Sequence, residues 1–259
     1  MYQRTIRMNV FLFICIALLF ASLACSLQKT EGNTSTDNEP SSKERSTSDE
    51  KPPVKELTAQ EILDKSTEAM KNVKSMGFQL AVTSGGVGVS IEINGEGVIE
   101  QPDKAYIHMD FAGQAIEMLM LSKTEVYMKQ PGSTNWEPVA ADELSLSGRM
   151  NFDVIQQLGV VGFANEINLA DPEIIDGVNC YHLTYSLDMA KYLSQLGDLG
   201  SQIDASSATG TGDLWVGKGD FLTRKFLFNL DATTQGVTIS ASTQLTLAKF
   251  NEPVVIPAP

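Results

Sequence analysis

Residues suited to catalysis are scarce in this chain of 259 residues. It holds only two histidines, His108 and His182. Neither lies in an HExxH pattern, and no cysteine pair has metal-ligand spacing. No GxSxG nucleophile turn is present. Gly210, Gly212, Gly217 and Gly219 lack the strand–loop–helix setting of a phosphate cradle. The acidic residues are scattered, so no acid–base pair can be assigned. His182 does lie two residues from Cys180, but strand alternation puts any such pair on one face. A Cys–His nucleophile also needs an orienting group and an oxyanion site. These absences argue against an enzyme, a metal site and a cofactor.

Cysteine is almost missing as well. Of the three, Cys15 lies in an N-terminal apolar run and Cys25 just after it, which leaves Cys180 alone in the rest of the chain. No intramolecular disulfide can form there, and the fold must be held by its core. Positive charge is in short supply too, with 19 Lys and Arg against 32 Asp and Glu. Such a field repels nucleic acid and anionic headgroups alike. Long apolar runs are lacking except at Val10 to Phe20, which is shorter than the ~20 residues a membrane span needs.

What is present begins with that run. Arg4 and Arg7 precede it and small residues follow it, the pattern of an export signal over residues 1–24. Cys25 after Ala24 resembles a bacterial lipoprotein processing site, where the cysteine is acylated and becomes the new N-terminus. Ser22 and Ala24 equally suit ordinary signal peptidase, and export follows from either route. Residues 25–55 then read as the lipid-carrying cysteine and a polar tether. Ser26 to Lys55 has no aromatic residue and too little apolar surface to offset ordering entropy. The expected location is the outer side of the cell membrane, held by an N-terminal acyl anchor.

Order is expected from residue 56 to 259 as one domain. Thr58 and Glu61 form a capping box, with Leu57 and Ile62 placed as a hydrophobic staple. Ile62, Leu63, Ser66, Ala69, Met70 and Val73 trace one helical face, with Gly77 as the stop. From Phe78 the period becomes two, and strands separated by short turn signals predict an antiparallel meander. Asn94-Gly95 reads as one such turn and Pro131-Gly132 as another. Phe152 to Gly162 reads as helix, Glu173 to Leu187 as strands around an Asp176-Gly177 turn, and Asp188 as the cap of a short helix. Gly197 to Thr211 reads as loop, followed by strands over 212–217, 223–230 and 237–250. Several strands are apolar in both phases, which predicts a sheet covered on both sides in its middle. Met109, Met118, Met120 and Met128 cluster on three consecutive strands beside Ile107, Phe111 and Ile116. Methionine suits either an ordinary core or a wall for flexible apolar partners.

Several segments together resemble a known family. They are the helix–strand junction VKSMGFQL (73–80), GEGVIEQPDKAYIHM (95–109), NWEPV (135–139), EIIDGVNCYHLTYSLD (173–188), GDLWVGKGDFLTRKFLF (212–228) and LTLAKFNEPVVIPAP (245–259). In order and spacing the chain from Leu57 resembles the mycobacterial LppX/LprA/LprF/LprG-type lipoproteins and, more distantly, the LolA/LolB carriers. The resemblance implies an α+β fold: a strongly curved antiparallel sheet, a half-open barrel, with helices covering its concave face around an apolar cavity. It implies a carrier of lipid or lipidated glycolipid, serving an envelope transporter or acceptor it does not identify. The cavity residues it suggests are Ile107, Met109, Phe111, Ile116, Met118 and Met120 from the sheet, with Phe152, Ile155 and Leu158 from a lid. Lys123, Lys129, Arg149 and Lys191 are the candidate cations for an anionic headgroup. The alternative is a LolA-like sensor that acts through a protein partner.

Overall fold

The computed structural model describes residues 56–86, 89–122, 124–139, 159–195, 200–234 and 237–259. The signal, Cys25 and the tether lie outside these residues, as do Phe152, Ile155 and Leu158. The described chain opens with α1 (Ala59–Lys71), and its start is the expected capping box. The Thr58 hydroxyl accepts from the Glu61 N–H at 3.2 Å, while Glu61 Oε2 accepts from the Thr58 N–H at 2.8 Å. Leu57 and Ile62 both pack into the core, as a staple requires. The helix ends well before Gly77, because Asn72 caps it and the Lys74 N–H donates to Asn251 Oδ1 at 2.7 Å. That long-range bond commits the next residues to the sheet.

Eleven strands follow: β1 (Ser75–Gly86), β2 (Val89–Glu100), β3 (Lys104–Phe111), β4 (Gln114–Ser122), β5 (Glu125–Lys129), β6 (Glu137–Pro138), β7 (Ala164–Ile175), β8 (Val178–Leu187), β9 (Ala208–Gly217), β10 (Thr223–Thr234) and β11 (Val237–Ala248). They form one antiparallel sheet in the order β6-β5-β4-β3-β2-β1-β11-β10-β9-β8-β7. The sheet is open, with β6 and β7 at its edges. Apart from the β1–β11 pairing, every neighbour in space is also a neighbour in sequence. A short α2 (Met189–Gln195) lies between β8 and β9. Asp188 Oδ1 accepts from the Lys191 N–H at 3.1 Å, so the expected cap is in place.

The tight turns follow backbone chemistry. Asp176 and Gly177 take φ of 48° and 79°, and Ala112 and Gly113 take 53° and 77°. Two successive positive φ values suit the right-handed twist of a hairpin. Asn94-Gly95, by contrast, is no turn, because β2 runs through it from Val89 to Glu100. The reason is packing. A Cβ on Gly97 would lie 2.7 Å from the Phe78 ring and 2.3 Å from the Tyr106 carbonyl. These glycines let neighbouring side chains lie flat on the sheet. The same device recurs in β9, where a Cβ on Gly212 would lie 2.2 Å from the Tyr185 hydroxyl. Of the helix expected over 152–162, the described part is a 3-10 turn, Gly159–Phe163. The expected loop over 197–211 contains two further 3-10 turns and the first residues of β9.

The core lies on one face of the sheet, called inner below. It joins Ile62 and Met70 of α1 and Tyr192 and Leu193 of α2 to side chains from β1–β5 and β8–β11. One polar contact crosses it, between the buried hydroxyls of Ser66 and Thr223 at 2.9 Å.

Candidate apolar binding wall

The register shows how the sequence builds the inner face. Phe78 pairs with Gly97, Gly97 with Ile107, Ile107 with Met118 and Met118 with Met128. One step along the strands, Leu80, Gly95, Met109 and Ile116 form a second row. A third holds Val82, Ile93, Phe111 and Gln114. On the other side of the first row lie Met76, Ile99, Ala105, Met120 and Val126. The six sheet residues expected to line an apolar wall, Ile107, Met109, Phe111, Ile116, Met118 and Met120, therefore share one face, and Met128 joins them.

On β3 and β4 burial falls toward the hairpin that joins them, while on β1 and β2 Val82 and Ile93 stay buried. Ile107 is 1% and Met118 4% exposed. Met109, Phe111, Ile116, Met120 and Met128 are only half-buried, and Gln114 is exposed. Thr243 of β11, opposite Val82, is half-buried in the third row. On β3–β5 the wall thus runs from packed core to half-covered apolar surface with Gln114 at its hairpin end, while Thr243 lies mid-strand between the buried Val82 and Phe228. Leu80, Val82, Ile93 and Leu245 also belong to it. Their alternation is readable, but their place beside the methionines depends on the pairing of β1 with β2 and of β1 with β11.

The two expected headgroup cations among the described residues, Lys129 and Lys191, do not lie on this wall. Lys129 is on the outer face, 3.2 Å from Glu117 and 4.3 Å above the Trp136 ring. Lys191 pairs with Asp188 at 2.8 Å beside α2. Lys123 and Arg149 lie outside the described residues. On the outer face Tyr106 also donates to Glu117 at 3.0 Å. Burial alone would raise the Glu117 carboxyl, but the bonds from Lys129 and Tyr106 outweigh it and hold the group below its usual range. Burial and the Glu117 contact push the Tyr106 phenol up.

Cys180 and His182 share the outer face without forming a couple. The buried Cys180 thiol donates to the Val178 carbonyl at 3.4 Å, and burial pushes its pKa up. His182 stacks on Trp215, with ring centroids 4.6 Å apart. Its Nε2 lies 2.7 Å from Asp213 and its Nδ1 3.1 Å from Glu173. A thiol kept protonated beside an imidazole already engaged on both nitrogens is poor equipment for nucleophilic attack.

No family model matches the chain, and no curated protein matches it in sequence. Among solved structures it is similar to the lipoprotein LppX of Mycobacterium tuberculosis, at 17% identity and a TM-score of 0.48, over 77% of this chain and 98% of that one. It is also similar to LprF of Mycobacterium bovis, at 16% identity and a TM-score of 0.45, over 78% and 96% of the two chains. A LolA-superfamily protein of Nitrosomonas europaea is similar at 15% identity and a TM-score of 0.30, over 77% and 96%. The likeness expected from the sequence to LppX-, LprF- and LolA-type proteins is met at this level.

Proposed function

We infer that this protein is a membrane-anchored, extracytoplasmic lipoprotein that binds acyl chains against the inner face of its sheet and carries or presents them in the envelope. One observation carries this reading: half-covered soft apolar side chains on β3–β5, Met109, Ile116, Met120, Met128 and Phe111, grouped around the buried Ile107 and Met118, with the exposed Gln114 at the hairpin end. Flexible chains need shape-tolerant lining with few polar groups. Each buried CH₂ contributes ~0.8 kcal/mol, so two chains supply ample driving force. Gln114 would meet the polar end of such a molecule. In this reading the open sheet is a half-barrel around the bound chains, and Cys25 holds it at the membrane. The protein acts physically, taking up chains and shielding them from water.

The test uses residues 56–259, which contain the whole described sheet and core. The domain is produced in a membrane-bearing host and purified without detergent, and an organic extract is analysed by mass spectrometry. Stoichiometric diacyl or triacyl lipid, lost in Met109→Asp, is the expected result. A lipid-free extract from folded protein that also refuses added lipid would sink the reading.

A further inference from the structure

The outer face of the central strands carries a polar groove. It holds about 340 Å³ and is lined by residues of β11, β1, β2 and β3. The register explains its shape. Thr246, Gln79, Glu96 and His108 form one cross-strand row on β11, β1, β2 and β3. Gln244, Ala81, Asn94 and Asp110 form the next. At about 4.8 Å between strands, the two rows span roughly 14 Å in one direction and about 7 Å in the other. Ala81 is the smallest side chain in this grid, so the taller neighbours stand as walls around it. Leu80 and Gly95 face inward and contribute through their backbones. These strands lie at the middle of the sheet, where paired backbones on both sides hold the side chains in place.

The chemistry of the groove differs from that of the wall behind it. Three amides, two carboxylates, an imidazole and a hydroxyl offer donors and acceptors side by side. Two are ordered without being used up. Asn94 Nδ2 donates to Glu92 at 3.0 Å, and Asp110 Oδ1 accepts from the Gly113 N–H at 2.9 Å. No lysine or arginine lines the groove. Lys225 of β10 pairs across strands with Thr246, but its ammonium sits 4.7 Å above the Trp215 ring, and Lys129 is held by Glu117. Phosphate, sulfate and carboxylate ligands would therefore meet two carboxylates with no cation to offset them. Acyl chains would leave seven polar groups without partners.

We propose that this groove binds an uncharged, hydroxyl-rich sugar unit, so that the protein engages a neutral glycan through its outer face. Adjacent amide and carboxylate groups can bond vicinal hydroxyls, and the methyl of Ala81 suits the C–H face of a pyranose ring. The proposal goes beyond the acyl-chain reading and does not depend on it.

Ligand-detected NMR on the full chain tests it, with maltotriose and chitotriose as neutral probes and trigalacturonate as the anionic one. At least one neutral trisaccharide is expected to bind, and trigalacturonate is not. Ala81→Tyr fills the groove and should abolish binding, while Glu96→Gln should weaken it about tenfold. Lipid content in the organic extract should be unchanged in both variants, which separates this site from the inner wall. The proposal is overturned if folded wild-type protein binds neither neutral probe, or if trigalacturonate binds as well as they do. Undiminished binding in Glu96→Gln also overturns it, and that variant decides the matter should Ala81→Tyr fail to fold.

Discussion

The two halves of the sheet use one inner face in opposite ways. On β8–β10, Leu183, Tyr185, Leu187, Leu214, Val216, Phe226, Phe228 and Leu230 are all buried, and α2 adds Met189, Tyr192 and Leu193 to the same cluster. Aromatic contacts lock this half together: Tyr192 meets Phe163 and Phe228 edge-on at 6.2 and 5.8 Å between centroids. On β3–β5 the same face carries methionine and isoleucine, and much of it is only half-covered by described residues. Rigid aromatic packing resists rearrangement, whereas thioethers adapt to what lies against them. The comparison separates a half sealed by aromatic packing from a half that leaves apolar side chains partly open.

The largest effect should come from the sealed half. Replacing Gly212 by Val drives a side chain into the Tyr185 hydroxyl and the Leu227 carbonyl, which lie 2.2 and 2.4 Å from the first added carbon. A loss of about 3 kcal/mol or more is expected in urea unfolding, since backbone cannot yield as a side-chain tip can. A loss below ~1 kcal/mol would show that this half is looser than its packing suggests.

Truncation measures the contrast directly. Leu214→Ala, at a residue 1% exposed, should cost about 3 kcal/mol. Met109→Ala, at a half-buried residue, should cost about 1 kcal/mol or less in lipid-free protein. Equal losses at the two positions would erase the distinction between the halves.

The smallest effect sharpens the contrast between faces. Glu117 has a depressed pKa in the folded protein, so the unfolded chain binds its proton more tightly. Its contribution is present in full above the ordinary carboxyl value of 4.5 and is lost as pH falls through the lower folded value. Glu117 is partly exposed, so the contribution should be under ~1 kcal/mol. In an acid titration of stability, wild type should be the more stable above about pH 5, and its lead over Glu117→Gln should fade as the pH falls below that. A difference that persists unchanged at lower pH would show that the carboxylate charge is not its source.

Much of the fold was legible in local chemistry. The capping box at Thr58 and Glu61, the Asp176-Gly177 hairpin and the Asp188 cap depend on neighbours within a few residues, and all are present. The phase that groups Ile107, Met109 and Phe111 on one face, and Ile116, Met118 and Met120 opposite them, follows from alternation in two adjacent strands. Asn94-Gly95 misled for an equally plain reason. A dipeptide that favours a turn is also the small-residue step a strand needs where Phe78 and Met109 must lie flat, and only the partner strands reveal which.

By itself the sequence determined the scarcity of cysteine, the sites of the caps and hairpins named above and the alternation of the apolar residues. Each is set by covalent order or by contacts a few residues apart. The tertiary structure decided the rest. Pairing β1 with β11 joins residues 77 and 248 and makes one sheet of the two halves. That pairing sets Thr243 in a row with Val82 on the inner face and brings Thr246 and Gln244 beside Gln79 and Ala81 on the outer one. Neither surface exists in any local segment, because each is assembled from strands whose neighbours are chosen by the packing of the whole.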